Sequence, residues 1–347
     1  MTIREQVKRF WQIFMGEQDN LEHALSHDHR DEISEIVKIL STYFEELCNC
    51  NLEVSIDDAF YEITFNSDGD KNAQYVCALM KKMAPESVRA KWIINAFIPP
   101  LSQKALNTIL KVKDQEYTCD DFTIFYEVDK INRLINADVY CDAFTQLEPN
   151  KALEISMYLI KMFIGETEFE ARMNTINAVD TLSDFEDQCP LTKFYEAIET
   201  IVETNKWVQY QDPTQIYMVY QLSESEPSQE VRKDMHMVMC GNPHMIAETL
   251  NDEYYIAESF YDWGGEFGYL YYEHEKTPAA SINRQKLEKA LNEILYDHSN
   301  IARSIGGAIG SKYAYIDLAI FDKPLFNKAL EKIIAKTGIA FKYVTFE

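Results

Sequence analysis

The chain has 347 residues with 46% hydrophobic and 13% aromatic content and only 11 Gly and 10 Pro, which excludes a disordered or collagen-like chain and leaves enough length to bury a core without disulfides or metals. Its 33 basic and 57 acidic residues give a net charge of −24, a field that repels a phosphate backbone, so no direct nucleic-acid binding is expected. The acid is uneven, since residues 301–347 hold seven Lys or Arg against four Asp or Glu.

In chain order, Ile3, Val7, Phe10, Trp11 and Phe14 form one stripe at helical spacing, and Ile33, Ile36, Val37, Leu40, Phe44 and Leu47 form a second. This opening segment carries charges among its apolar positions and lacks a signal-peptide core, and no run is long enough to span a membrane, so a cytoplasmic location is expected. Alternating stretches at 52–56 and 60–65 predict a hairpin turning at Asp57 and Asp58. Ser67 to Asp70 supplies a turn and N-cap for a helix burying Ala73, Val76, Cys77 and Met80, closed by Ala84 and Pro85. Residues 91–98 read as a strand stopped by Pro99 and Pro100, with further strands at 104–112, 121–128 and 133–140. Pro149 suits a helix N1 position ahead of the stripe Ile155, Leu159, Met162 and Phe163. A strand near 167–177 and a Pro190-initiated helix bearing Leu191, Phe194, Ile198 and Ile201 follow.

Turn residues interrupt the apolar periodicity at 209–213, which places a boundary near residue 211 and predicts two α+β domains, 1–211 and 212–347, built mainly on antiparallel sheets. Beyond a strand at 215–222, and a stretch at Met235 to Cys240 whose pattern leaves strand or helix open, strands are expected at 254–261 and 267–274. A helix at 283–298, strands at 301–308 and 312–321, a helix at 324–336 and a strand at 339–346 complete the chain. From residue 267 this β-α-β-β-α-β order predicts a ferredoxin-like C-terminal part, a fold that hosts many chemistries and specifies none.

Four constellations carry chemistry-bearing residues. His23, His27 and His29 cluster, but without the H-E-x-x-H arrangement, and the polar surroundings suit an exposed loop, so no metal is expected. The run Gly306 to Lys312 departs from phosphate-loop spacing and precedes a strand, which favours a hairpin or bulge, and no cofactor is expected. Asp317 sits in an otherwise apolar strand and needs a partner, for which Lys312 or Arg303 is available. The densest cluster is the expected hairpin 254–274, where Tyr261, Trp263, Tyr269 and Tyr271 interleave with Glu258, Asp262 and Glu266. It reads either as an aromatic, anionic surface for a cationic ligand or as a strand pair buried on both faces. The seven cysteines are scattered, without C-x-x-C spacing, and read as reduced core residues.

Phe10, Trp11 and Phe14, the segment Ala84-Pro85 followed by 91–97, and the strand Tyr313 to Asp317 resemble bacterial cytoplasmic proteins of uncharacterised function. That resemblance implies no activity and carries over no site residue. With no nucleophile elbow, dinucleotide fingerprint or dispersed metal motif, the expectation is a non-enzymatic, immunity-like acidic protein that binds a basic protein through Glu258, Tyr261, Asp262, Trp263, Glu266, Tyr269, Tyr271 and Asp317. The alternative expectation is an enzyme acting on a small or cationic substrate through converging Glu258, Asp262 and Asp317.

Overall fold

A computed structural model describes residues 1–57, 60–101, 109–112, 115–222, 230–251, 253, 255–275, 279–337 and 339–346. It is mixed helix and sheet. Where the sequence reading cuts the chain once, near residue 211, the backbone groups it as Met1–Ala96 together with Tyr217–Glu347 in one compact unit and Phe97–Ile216 in the other. Among the described residues no helix is long and apolar enough to cross a membrane.

The first unit opens with α1 (Ile3–Ser26), started by a capping box between Thr2 and Glu5, and α2 (Arg30–Cys48). The strands β1 (Asn51–Asp57) and β2 (Phe60–Asn66) pair antiparallel with Leu52 opposite Phe65; of the turn expected between them, residue 58 lies outside the described residues. Asp70 caps α3 (Lys71–Met83), and a short α4 (Glu86–Arg89) leads into β3 (Trp92–Asn95), parallel to β2. Phe10, Trp11, Phe14, Phe44 and Phe65 bury edge-to-face contacts between these layers, and the Trp11 indole donates to the Met80 carbonyl at 3.0 Å.

The second unit contains β4 (Ile109–Val112), β5 (Gln115–Thr118), β6 (Thr123–Asp129), β7 (Leu134–Tyr140), α5 (Pro149–Arg172), β8 (Met173–Val179), β9 (Asp187–Pro190) and α6 (Phe194–Thr204). Residues 104–108 of the strand expected at 104–112 lie outside the described residues. The sheet order is β8-β7-β6-β9, and Ile124, Ile135, Val139, Ile160, Phe194 and Ile198 form its core with α5 and α6. The strand expected from residue 167 is helical as far as Arg172. There the buried guanidinium pairs with Glu168 one turn back at 3.0 Å and lies 5.5 Å from both the Trp207 and Tyr210 rings, contacts that hold the last helical turn. Gly165 breaks the helix with φ of 77°, and a Cβ there would come within 2.8 Å of Pro100.

The first unit resumes with β10 (Met218–Gln221), β11 (Met235–Cys240), α7 (Pro243–Asn251), α8 (Tyr255–Asp262), β12 (Glu266–Glu273), α9 (Ala280–Asn292) closing in a π turn at 293–297, β13 (Ala302–Gly310), β14 (Tyr313–Ile320), α10 (Lys323–Thr337) and β15 (Lys342–Thr345). The stretch 235–240 thus resolves as a strand. The sheet runs β10-β11-β13-β14-β12-β15 with every pair antiparallel. One face carries Leu270, Ile316, Leu318 and Ile320, packed against Leu291, Leu295, Phe326 and Ile333 of the helices. The other carries Phe267, Tyr269, Tyr315 and Asp317. The N-terminal layer is tied to this sheet and its flanking helix: Ile3 N–H donates to the Gly264 carbonyl, Arg4 N–H to that of Phe321, and the Asn72 amide to Ile256 and Ser259 of α8.

Residue 254 of the expected strand at 254–261 lies outside the described residues, and the rest is instead α8. Ala257 and Phe260 bury one helical stripe, the Glu248 carboxylate accepts the Ile256 N–H at 3.0 Å, and Phe260 stacks on Phe267 at 4.1 Å. The turn that closes the helix contains Gly264, whose φ of 86° suits glycine and whose N–H donates to the Tyr261 carbonyl.

Candidate binding cavity beside helix 255–262

Because α8 is a helix, Glu258 and Asp262 lie one turn apart on a single face with Tyr261 beside them. These three side chains, with Glu266, Ala257, Phe267, Thr345 and Phe346, line an open cavity of about 480 Å³ between α8 and the adjoining ends of β12 and β15. Its floor is apolar and its rim acidic. Glu258 and Asp262 make no ion pair or side-chain hydrogen bond among the described residues, and Tyr261 is 70% exposed. Glu266 differs, since its Oε1 takes both the Lys323 ammonium and the Tyr343 hydroxyl, so its charge is already neutralised.

Of the residues expected to form one site, Glu258, Tyr261, Asp262 and Glu266 come together in this cavity. Trp263 is half-buried against Phe260, with its carbonyl accepting the Gln6 amide at 2.6 Å. Tyr271 is half-buried in a second cavity of about 540 Å³ with Tyr272, His274 and Tyr313. Tyr269 and Asp317 are buried behind the first cavity's wall, so the cluster of eight divides among four environments.

Asp317 pairs with neither Lys312 nor Arg303. Its carboxylate takes both terminal nitrogens of Arg232, at 2.8 and 2.9 Å, a planar fork matched to the carboxylate. Arg232 is 8% exposed, and its guanidinium carbon lies 4.8, 5.3 and 5.1 Å from the Tyr269, Tyr315 and Phe346 rings. Burial disfavours the Arg232 charge, but Asp317 more than compensates and holds the guanidinium above its ordinary pKa. Nearby, Asp234 accepts the Lys312 and Tyr313 N–H groups at 2.9 Å and the Tyr315 hydroxyl; burial and that carboxylate push the Tyr315 phenol far above its usual value. Phe346 belongs to both assemblies, because its ring walls the cavity and also covers Arg232. Neither Arg232 nor Asp234 carries a sequence signal: they sit outside any motif, and the Arg232–Asp317 pair spans 85 positions.

The glycine run forms the end of β13 and the start of a two-residue turn at Ser311 and Lys312, with a register shift between Ser304 and Gly306. The three histidine rings do gather, with centroids 4.3 to 5.7 Å apart, where α1 ends and α2 begins. Among the described residues no group of three His, Cys, Asp or Glu is placed to hold a metal ion. No family model matches the chain, no curated protein matches it in sequence, and no solved structure matches it.

Proposed function

We propose that the chain is a binding protein for a basic protein partner, whose lysine or arginine side chain enters the cavity beside α8. The observation that carries this reading is the pair Glu258 and Asp262, one helical turn apart, uncompensated among the described residues and set next to the exposed Tyr261 ring over an apolar floor. A cation there gains two carboxylates and a ring face, while its aliphatic stem covers Phe267 and Phe346. The overall charge of −24 adds long-range attraction for such a partner. Catalysis by converging carboxylates has less support, since Asp317 and Glu266 are already engaged by Arg232 and Lys323.

The same reading takes the segment from β12 to β15 as ferredoxin-like. Its support is the β-α-β-β-α-β element order together with the strand order β13-β14-β12-β15. Seven free cysteines fit a reducing, cytoplasmic compartment.

Titration calorimetry of the full chain with hexa-arginine amide tests the function. Binding is expected to weaken steeply with salt and to fall roughly tenfold or more in Glu258→Gln/Asp262→Asn, about 1.4 kcal/mol for two partly exposed charge contacts. Equal affinity in the wild type and the double variant refutes the cavity as the contact.

A further inference from the structure

The cavity adjoins an open sheet edge. In the six-stranded sheet β15 is the last strand, paired on one side with β12 and on the other with no strand among the described residues. Its register places Thr345 opposite Gly268, and the next residue, Phe346, donates its N–H to the Phe267 carbonyl at 3.1 Å. Inward and outward backbone groups alternate along an antiparallel strand, so Thr345 turns its N–H and C=O away from β12, toward the open side. Thr345 is also a wall residue of the cavity. One residue therefore offers a backbone donor and acceptor to an incoming chain at the point where the unpaired carboxylates wait for a cation.

The edge carries opposite charge at its two ends. Lys342, exposed at the other end of β15, stands three residues from Thr345, about 10 Å at strand spacing. Glu258 and Asp262 lie at the Thr345 end. A segment lying along this edge meets negative charge at one end and positive charge at the other, which fixes its direction.

Resting on the cavity reading above, we propose that the partner binds as an extended segment that adds to the β15 edge through Thr345, placing an arginine or lysine in the cavity and favouring an acidic residue four positions away, on the same face and beside Lys342. This is strand addition, in which main-chain hydrogen bonds supply affinity and a pocket for one side chain supplies selectivity. A lone edge strand invites such pairing, and a single lysine at one end restricts it by charge without blocking it.

The test uses the full chain and a fluorescein-labelled octapeptide of alternating threonine and valine, with a central arginine and a glutamate four positions later, on the same face of the strand. Two further peptides of the same sequence are N-methylated at only the odd or only the even backbone positions, and arginine amide is the fourth probe. A strand uses one of its edges for pairing, so one methylated peptide is expected to lose at least tenfold in affinity while the other binds within threefold of the parent. Arginine amide is expected to bind at least tenfold more weakly than the parent. If both methylated peptides bind like the parent and Glu258→Gln/Asp262→Asn still weakens all of them, strand addition is wrong and the cavity reading survives. If no probe binds at low salt, both fail.

Discussion

Replacing Arg232 by methionine tests the buried ion pair directly. It keeps the flexible apolar stem and removes the charged guanidinium, leaving the Asp317 carboxylate, 2% exposed, without its two charged donors. An uncompensated buried charge costs about 3–5 kcal/mol, a large share of the 5–15 kcal/mol that separates folded from unfolded domains. The loss of cation–π contact with Tyr269, Tyr315 and Phe346 adds to this, against some gain from methionine packing among the same rings. At about 3 kcal/mol per molar urea, the midpoint should fall by on the order of 1 M. The assay is urea unfolding followed by tryptophan fluorescence in a Trp207→Phe background, so that Trp11, Trp92 and Trp263 report only on the unit containing Arg232. Arg232→Met/Asp317→Leu, which removes both charges, should recover to within about 1 kcal/mol of the parent, because an apolar pair of similar volume does not pay desolvation. Should Arg232→Met unfold within 1 kcal/mol of the parent, the pair is not the buried anchor described above.

Gly310→Ala should destabilise by about 1–3 kcal/mol in the same assay, since the added Cβ would lie 2.2 Å from an Asp234 oxygen that the Lys312 and Tyr313 amides hold in place; an unchanged midpoint would show that Asp234 can move. At Glu22, burial raises the carboxyl pKa, but hydrogen bonds from Lys91, Gln18 and Trp92 outweigh it and hold the group below its ordinary value. A depressed folded pKa stabilises fully above the unfolded carboxylate pKa of about 4.3 and is lost as pH falls through the folded value, so the stability gap between the parent and Glu22→Gln should be widest near neutrality and shrink below pH 4; a gap independent of pH refutes this. Burial pushes the Cys189 and Cys240 thiols up to about 11, so roughly a thousandth of each is thiolate at pH 8, and a disulfide reagent should modify them slowly in the folded protein and at once in denaturant; prompt labelling of either in the native state would contradict their burial.

The sequence makes most of the helices and strands legible where apolar periodicity is long. The stripes at 3–14 and 33–47, the Asp70 cap, the Pro149 start and the apolar run at 312–321 all reappear as α1, α2, α3, α5 and β14, because each helix buries a face whose period the residues display and the strand is buried on both faces. Failures fall where distant partners decide the conformation. Residues 254–261 are rich in aromatic and β-branched types that favour strands, but Phe260 must reach Phe267 and Asn72 must reach Ile256 and Ser259, and those contacts select a helix. The Asp317 partner was invisible for the same reason. A carboxylate in an apolar strand announces that it needs a cation, but which cation reaches it depends on chain paths 85 residues apart.

The same helix explains why four of the eight expected site residues meet. In a strand, Glu258 and Asp262 would share a face about 13 Å apart, too far for one cation to touch both. In α8 they are a single turn apart, about 6 Å along the axis, close enough for one guanidinium or ammonium group to lie between them. The cavity thus depends on the contacts that turn 255–262 into a helix, chiefly the Phe260–Phe267 stack and the two bonds from Asn72. A residue of α3 that touches no ligand therefore governs the spacing of the two carboxylates, and Asn72→Ala should weaken hexa-arginine binding even though Glu258 and Asp262 are intact. If affinity in that variant equals the parent's while the Glu258→Gln/Asp262→Asn pair loses it, α8 holds its shape without α3 and the dependence argued here is wrong.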